Sequence, residues 1–332
     1  MATVIDVAKK AGVSVATVSR VMNSNHIVTK EKTEKVLRAM EEVNYQPRNT
    51  LRNSKIVEKK IILLLATAMI EELLSGIYDA AEELNYEVMI SYCTKNKRSI
   101  ETIDAFRNNS VSGVIVLNAL LNTDELIGIG LKVPLVQCLQ AKEIADTFLV
   151  AIDDEKAAYD SVKRIIQSGK KRIGFIGLAG NAEQVPYFSN ERYRGYLRAL
   201  DEFNLNFDDE LIKYCDMSYE SGLDIANEFL NMKEKPDAVF SVQDTMAVAC
   251  INAFQEAGFS IPNDIAVSGF DNFEISQISR PKLTTVEQPF YEIGFETIKM
   301  IDSMINGNIS TGRRLLISHK LIERESTLGE IK

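Results

Sequence analysis

The sequence predicts a small all-α domain at the N-terminus, followed by a larger α/β core with two lobes. Apolar residues recur at helical spacing through residues 1–46. Beyond residue 60, short apolar runs alternate with amphipathic helical stretches, in one series to about residue 168 and in a second series after it. Such alternation is typical of parallel sheets covered by helices on both faces. Two series predict two lobes with a cleft between them.

Three short helices are predicted in the N-terminal domain. The first begins after Thr3, a residue type that caps helix N-termini, and Asp6 completes a loose capping box. A Gly-Val pair interrupts it, and Ser14 caps the second helix. The third helix is capped near Thr29, and Pro47 ends it.

The core strands are predicted from apolar runs that are separated by helical stretches. The first series reads IILLLA, YEVMISY, SGVIVLN, VPLVQC and FLVAI, and the second reads RIGFIG, DAVFSV and IAVSGF. No GxGxxG follows a strand, and neither GxxxxGK[ST] nor GxSxG occurs. The sequence therefore gives little support to a nucleotide-binding or hydrolase function.

Charge is distributed unevenly along the chain. The net charge is −9, but the first 60 residues hold twelve basic and six acidic residues, which gives +6 there and −15 in the remainder. The segment 47–60 alone holds five basic residues and one acid, unlike a passive linker rich in Gly, Ser or Pro. A basic domain on an acidic body indicates a polyanionic partner for the N-terminal part.

The sequence predicts a cytoplasmic protein without a membrane segment, a metal or another cofactor. The N-terminus lacks the layout of a secretion signal, and the longest apolar run, residues 61–70, is too short to span a bilayer. The four cysteines show neither CxxC spacing nor a nearby histidine, which favours reduced, buried thiols.

Residues 6–23, DVAKKAGVSVATVSRVMN, read as a helix, a tight turn and a second helix. Val13, Val18 and Val21 can pack inward on the second helix, which leaves a small, hydroxyl-bearing and basic face exposed. Such a face can approach the DNA major groove, where hydroxyls bind phosphates and an arginine binds a guanine edge or a phosphate. A small helical protein-interaction module is the alternative. The exposed residues are Ser14, Ala16, Thr17, Ser19, Arg20 and Asn23.

The stretch TVIDVAKKAGVSVATVSRVMN, followed by VLRAMEEVNYQP, resembles the DNA-binding head of the lactose/galactose repressor family over residues 3–47. The resemblance continues through RIGFIG, NERYRGYLRAL, VFSVQDTMAVAC, GFSIPNDIAVSGFDNFE and RPKLTTVEQPFYEIG, and so covers about 320 residues. It implies a periplasmic-binding-protein-like core whose two lobes are joined by crossing strands.

The resemblance implies three parts in the chain. These are a helix-turn-helix head (1–46), a hinge linker (47–60) and an effector-binding and dimerisation core (61–332). Lobe 1 would comprise about 61–156 and 290–318, and lobe 2 about 157–289 and 319–332.

The same resemblance implies the residues that contact DNA. Val15 and Ala16 would read bases, and Arg20 would reach into the groove. For Tyr45 the alternative is a core tyrosine that closes the third helix. The residues expected to hold phosphates are Thr3, Ser14, Thr17, Ser19, Asn23 and Tyr45.

In this family the linker folds into a short helix on DNA, and a leucine wedges into the minor groove. Here Ser54 occupies the leucine position, and Leu51 lies one turn earlier. Either Leu51 wedges in a shifted register, or the wedge is lost.

An effector cleft is also implied. Asp271 would accept hydroxyl groups of a sugar, and Arg192 would donate to sugar oxygens, a carboxylate or a phosphate. Gln243 stands where the family often has Asn, and Met217 stands in the place of a stacking aromatic.

Two further cleft residues have structural alternatives. Phe270 would form the cleft wall or belong to the core. Asp153 would be a cleft acid or a helix N-cap. In lobe 1, the connection after the first strand is about three residues shorter than the family usually has, so the protein would bind an unusual ligand or none. Without a ligand, a protein corepressor or constitutive binding would replace the small molecule.

These observations predict a sequence-specific DNA-binding transcriptional regulator, a repressor that is dimeric on an inverted-repeat operator and responds to a sugar-like molecule or a corepressor. A tetramer is disfavoured because no heptad tail follows the core. The alternative is a cytoplasmic sugar-binding protein without a DNA role. An enzyme is not expected, since the only histidines are His26 and His319 and no nucleophile motif occurs.

Overall fold

The structure is a computed structural model of the 332-residue chain, and it describes residues 2–22, 28–43, 45, 60–93, 111–117, 121–139, 147–179 and 187–328. The chain divides into two compact units, residues 1–59 and 60–332. Of the predicted contact residues, Asn23 and Leu51 lie outside the described residues.

The first unit contains three helices, α1 (Val4–Ala11), α2 (Val15–Met22) and α3 (Lys30–Glu42). The capping box is present, because the Asp6 N–H donates to Thr3 Oγ1 and the Thr3 N–H donates to Asp6 Oδ2. Gly12 ends α1 in the left-handed conformation with φ of 66°. One small apolar core joins the helices, made of Val7, Ala8, Val18, Val36 and Ala39.

The second unit is built from strands and helices that alternate as the sequence predicted. Its strands are β1 (Lys60–Ala66), β2 (Tyr86–Tyr92), β3 (Val111–Leu117), β4 (Leu135–Cys138), β5 (Phe148–Ala151), β6 (Ile173–Leu178), β7 (Ile212–Cys215), β8 (Ala238–Ser241), β9 (Ala266–Asp271), β10 (Thr284–Glu287), β11 (Arg313–Leu316) and β12 (Lys320–Ile322). Its helices are α4 (Glu71–Glu83), α5 (Thr123–Gly130), α6 (Asp154–Gln167), α7 (Tyr187–Glu202), α8 (Tyr219–Asn231), α9 (Asp244–Glu256), α10 (Glu274–Ile278), α11 (Phe290–Ile305) and α12 (Glu325–Leu328).

The first sheet has the order β11-β5-β4-β3-β1-β2, and its described pairs are all parallel. β1 is buried on both faces, with Ile62 and Leu64 in one apolar cluster and Leu63 and Leu65 in another. Helices therefore cover both sides, as expected of a parallel sheet.

Helices α4 and α11 cross in backbone contact beside the first sheet. A Cβ atom on Gly76 would lie 2.0 Å from the Tyr291 carbonyl oxygen, and one on Gly294 would lie 2.2 Å from the Leu73 carbonyl oxygen. Glycine is required at both positions, and the contact fixes α11 firmly to α4.

The second sheet has the order β12-β10-β9-β8-β6-β7. Its pairs are parallel except for β10 with β12, which run antiparallel. Helices α6 and α7 pack together on this sheet, as do α8 and α9. No helix in the described part of the chain is long and apolar enough to cross a membrane.

Over the described residues, the chain passes between the two sheets three times. The first crossover, residues 152–153, leads from β5 to α6, and the second, residues 288–289, leads from β10 to α11. The third, residues 317–319, leads from β11 to β12. The carboxyl ends of β9 and β10 lie next to the second crossover, which places polar residues near the connection between the lobes.

Candidate functional site

Helix α2 presents the predicted DNA-contact residues on its outer side. Val18 is fully buried in the core of the first unit, and this fixes the rotation of the helix. Val15 keeps 45% of its surface exposed although it is apolar, and Ala16 beside it is exposed as well. Arg20 is also exposed, and it makes no ion pair with any described residue.

Two hydroxyl groups at the start of α2, those of Ser14 and Thr17, are hydrogen-bonded to each other. Ser14 Oγ accepts a hydrogen bond from the Thr17 N–H at 3.1 Å and lies 2.9 Å from Thr17 Oγ1. Ser19 is exposed further along the helix. Because Ser14 caps the helix N-terminus, the positive end of the helix dipole and two hydroxyls stand together, an arrangement that suits a phosphate.

The two other described phosphate candidates have structural roles. The Thr3 hydroxyl donates to Asp6 Oδ2 at 2.7 Å within the capping box. Tyr45 is partly buried, and its ring packs against the core of the first unit. The ring of Tyr45 therefore has the core role given above as the alternative. The phosphate contact remains a prediction for its hydroxyl alone.

In the core, Asp271 ends β9 in a strained backbone conformation. Its φ is +104°, and Asn272 after it has φ of +57°. Left-handed conformations in residues other than glycine are uncommon and are concentrated at functional sites. Asp271 is 8% exposed, and its Oδ1 accepts a hydrogen bond of 2.7 Å from Gln288 Nε2. Burial raises the pKa of Asp271, against the lowering effects of Arg192 and Gln288.

Arg192, on α7, is enclosed on every side that the structure describes. Its Nε donates to Asp154 Oδ1 at 2.8 Å, its Nη1 donates to the Val242 carbonyl at 2.6 Å, and Nη1 lies 3.6 Å from Asp271 Oδ1. The guanidinium carbon lies 3.5 Å from the ring centroid of Phe270, which is fully buried. Arg192, Phe270 and Asp271 are thus brought together, with Phe270 behind the arginine in the core.

Sequence reasoning missed three polar residues of this cluster: Asp154, Asp244 and Gln288. Burial raises the pKa of Asp154 to about 6, although the charge of Arg192 acts in the other direction. Asp244 accepts from the Thr285 hydroxyl at 2.6 Å and from the Phe273 N–H at 2.7 Å. Its pKa is raised well above the ordinary range, by burial first and by the charge of Asp271 second.

Asp153 and Asp154 are adjacent acids with different positions. Asp153 caps α6, because its Oδ1 accepts from the Lys156 N–H at 2.8 Å. Asp154 begins the helix and contacts Arg192. The predicted start of the helix could have distinguished the two acids. The N-cap carboxylate is bonded to a backbone N–H, whereas the carboxylate of the next residue can face inward.

The two remaining predicted effector residues are Gln243 and Met217. Gln243 caps α9, with its Oε1 accepting from the Thr245 N–H at 3.1 Å, and it follows Val242, whose carbonyl binds Arg192. Met217 is 52% exposed in the loop after β7.

The connection between β1 and α4 is short. β1 ends at Ala66 and α4 begins at Glu71, so only residues 67–70 lie between them. This segment, Thr-Ala-Met-Ile, contains no carboxylate or amide side chain. Ile70 precedes the helix without a side-chain cap. Lobe 1 therefore offers a ligand few strong hydrogen-bonding side chains from this connection.

Two family models match this chain. Residues 3–48 match the bacterial regulatory proteins of the lacI family, and residues 162–327 match the periplasmic binding protein-like domain. Catabolite control protein A of Priestia megaterium is 32% identical over 98% of this chain and 99% of its own length.

Solved structures resemble the whole chain as well. The transcriptional regulator CelR in complex with cellobiose has a TM-score of 0.72 and 26% identity, over 98% of this chain and 100% of that chain. The lac repressor dimer bound to its operator and the anti-inducer ONPF has a TM-score of 0.71 and 25% identity, over 98% and 99%. Sequence and fold agree along nearly the full length, and the chain belongs to the lacI family of bacterial regulatory proteins.

Proposed function

We propose that this protein represses transcription by binding an inverted-repeat operator as a dimer, and that a polyhydroxyl effector bound beside Asp271 controls it. The observation that carries the DNA-binding part is the exposed Val15–Ala16 pair on a helix whose rotation Val18 fixes. Family membership makes the protein a DNA-binding regulator, and its relatives are regulators rather than enzymes. A regulator of this kind meets its operator in the cytoplasm.

The exposed face of α2 has the chemistry that the major groove requires. The small side chains of Val15 and Ala16 allow close approach to base edges, and Arg20 has no competing ion pair among the described residues. Ser14 and Thr17 supply hydroxyls at a helix N-terminus for the phosphate backbone. The net charge of +6 over the first 60 residues supports the same partner.

Hydrogen-bonding capacity at Asp271 supports an effector rich in hydroxyl donors. Among the described residues, only its Oδ1 has partners, Gln288 and Arg192, so Oδ2 is a buried acceptor available to a ligand. A buried carboxylate oxygen without a donor is unfavourable, and a ligand hydroxyl would satisfy it.

The charge balance of the cluster disfavours an anionic effector. Arg192 already faces the carboxylates of Asp154 and Asp271, and the charge of Asp271 also acts on the buried Asp244. A phosphate or a carboxylate would therefore enter a site where Arg192 is already balanced by two acids. We propose an uncharged sugar or sugar derivative, which narrows the alternatives that the sequence left for Arg192.

The first experiment is selection of random duplex DNA by the full-length protein at near-physiological salt. An enriched palindrome, bound with an affinity that falls steeply as salt rises, is the expected result. A lone half-site would argue against the dimeric mode. Enrichment of nothing would mean that the protein does not bind an operator unaided, and the selection would be repeated with candidate effectors or a corepressor.

A further inference from the structure

At two of the three crossovers between the lobes, a residue within or directly after the crossover binds into the Arg192–Asp271 cluster. Asp154 follows the first crossover directly and accepts from Arg192. Gln288 is the first residue of the second crossover and donates to Asp271. The cluster in the second lobe is therefore tied to the segments that connect the two lobes.

The tie at the second crossover is double. Asn272 Nδ2 donates to Glu287 Oε2 at 2.9 Å, beside the bond from Gln288 to Asp271. Asp271 also pairs with Glu287 in the register of β9 and β10. Asp271 and Asn272, both with positive φ, are thus bonded to the last residue of β10 and the first residue of the second crossover.

From Gln288 the chain leads straight into the first lobe. The Gln288 carbonyl accepts from the Phe290 N–H at 2.9 Å, and α11 begins at Phe290. The close contacts at Gly76 and Gly294 join α11 to α4 without intervening side chains. A displacement of Gln288 would therefore move the start of a helix that is packed rigidly into the first lobe.

We propose that Gln288 is a positioning residue that holds Asp271 until an effector hydroxyl replaces its amide, and that this exchange shifts the arrangement of the two lobes through α11. The inference rests on the proposed effector site at Asp271. Gln288 is 6% exposed, so an amide that loses its acceptor is left buried without a partner. Once the effector has replaced the Gln288 amide at Asp271, a different backbone conformation of residues 288–289 is therefore favoured.

The exchange of Gln288 for an effector hydroxyl gives the effector different affinities for two arrangements of the lobes. A ligand shifts a conformational equilibrium only when it binds the two states with different affinity. An effector that competes with Gln288 for Asp271 binds more weakly while Gln288 is in place and more tightly once the crossover has moved. The hydrogen bond of 2.7 Å is the contact that distinguishes the two states.

The test measures the distance between the lobes in the full-length protein, without DNA or effector. Nitroxide labels are attached at Glu87→Cys on β2 and Asn227→Cys on α8, both exposed, while the four native cysteines are buried. Double electron–electron resonance then gives the distance distribution. Gln288→Met removes the donor and keeps the length of the side chain. It should move the distribution by more than the width of the parent peak.

Gln277→Met, at an exposed position on α10, is the matched control and should leave the distribution unchanged. If Gln288→Met does not fold, Gln288→Asn shortens the reach by one methylene and should give the same shift. A lower melting temperature with an unchanged distance distribution would mean a purely structural role and would overturn the proposal. Since no DNA is present, a failure of operator selection leaves this measurement intact, and the two proposals can fail separately.

Discussion

The head and the second lobe hold their contact groups in opposite ways. In the head, Val15, Ala16 and Arg20 lie exposed on α2, and a single buried valine fixes their direction. In the second lobe, Arg192 and Asp271 are buried and already have protein partners. A surface of the first kind binds a large partner without rearrangement. In a cluster of the second kind, a ligand hydroxyl can reach the open Oδ2 of Asp271, but it reaches Oδ1 only by exchange with Gln288. Substitutions that change the shape or charge of the exposed face of α2 should therefore change DNA affinity. Substitutions that remove a hydrogen bond or ion pair of the buried cluster should change the stability of the core.

The largest effect is expected from a charge placed on the exposed face of the head. Ala16→Glu sets a carboxylate against base edges and phosphates, so specific affinity for the selected operator should fall roughly 100-fold or more. Titration of labelled operator DNA measures it. Leu131→Glu adds the same charge at a position of the core that is 82% exposed and should retain affinity. Unchanged operator binding by Ala16→Glu would remove Ala16 from the groove contact.

The core should respond next most strongly, to the loss of Arg192, the buried cation of the Arg192–Asp271 cluster. Arg192→Met leaves Asp154 and Asp271 buried without their counter-charge, which should lower the free energy of unfolding by about 3–5 kcal/mol at pH 7. Denaturant unfolding measures this loss. Arg194→Met, which removes a half-exposed pair with Glu191 on the same helix, should change stability by less than about 1 kcal/mol. An equal decrease in the free energy of unfolding in the two variants would show that the buried ion pairs of Arg192 contribute no more to stability than the exposed pair of Arg194.

The same cluster should give an unusual dependence of stability on pH. The pKa of Asp154 is raised from 3.8 to about 6 by burial, so between these values the native state binds more protons at this group than the unfolded state does. Through Asp154, the free energy of unfolding should therefore rise as the pH falls from about 6 toward 4. Asp154→Asn should abolish this contribution, which is seen as a smaller gain in stability on acidification than in the parent. An identical pH profile in the two proteins would contradict the raised pKa.

The contrast between the two regions also explains what the sequence could predict. The face of α2 follows from helical periodicity within eight residues, and the alternation of strands and helices gives the two sheets. The partners of the buried cluster come from distant segments: Asp154 and Arg192 are 38 positions apart, and Asp271 and Gln288 are 17 apart. Only the order of the strands brings them together, and no local pattern marks Gln288. The family resemblance identifies Arg192 and Asp271, but their pairing depends on the tertiary fold.

The smallest effect separates the two roles of Tyr45, the residue at which the head behaves partly like the core. Its ring packs among the apolar residues of the first unit, as a structural tyrosine would. Tyr45→Phe keeps this packing and removes only the hydroxyl, so stability should stay within about 1 kcal/mol of the parent. If the hydroxyl binds a phosphate, operator affinity should fall roughly 3- to 10-fold, in proportion for specific and non-specific DNA, because a phosphate contact carries no sequence information. Tyr45→Ala removes ring and hydroxyl together and should reduce both stability and affinity. If Tyr45→Phe keeps full operator affinity, Tyr45 has only a structural role in the core of the first unit. The phosphate contacts of the head would then depend on the hydroxyls at the start of α2.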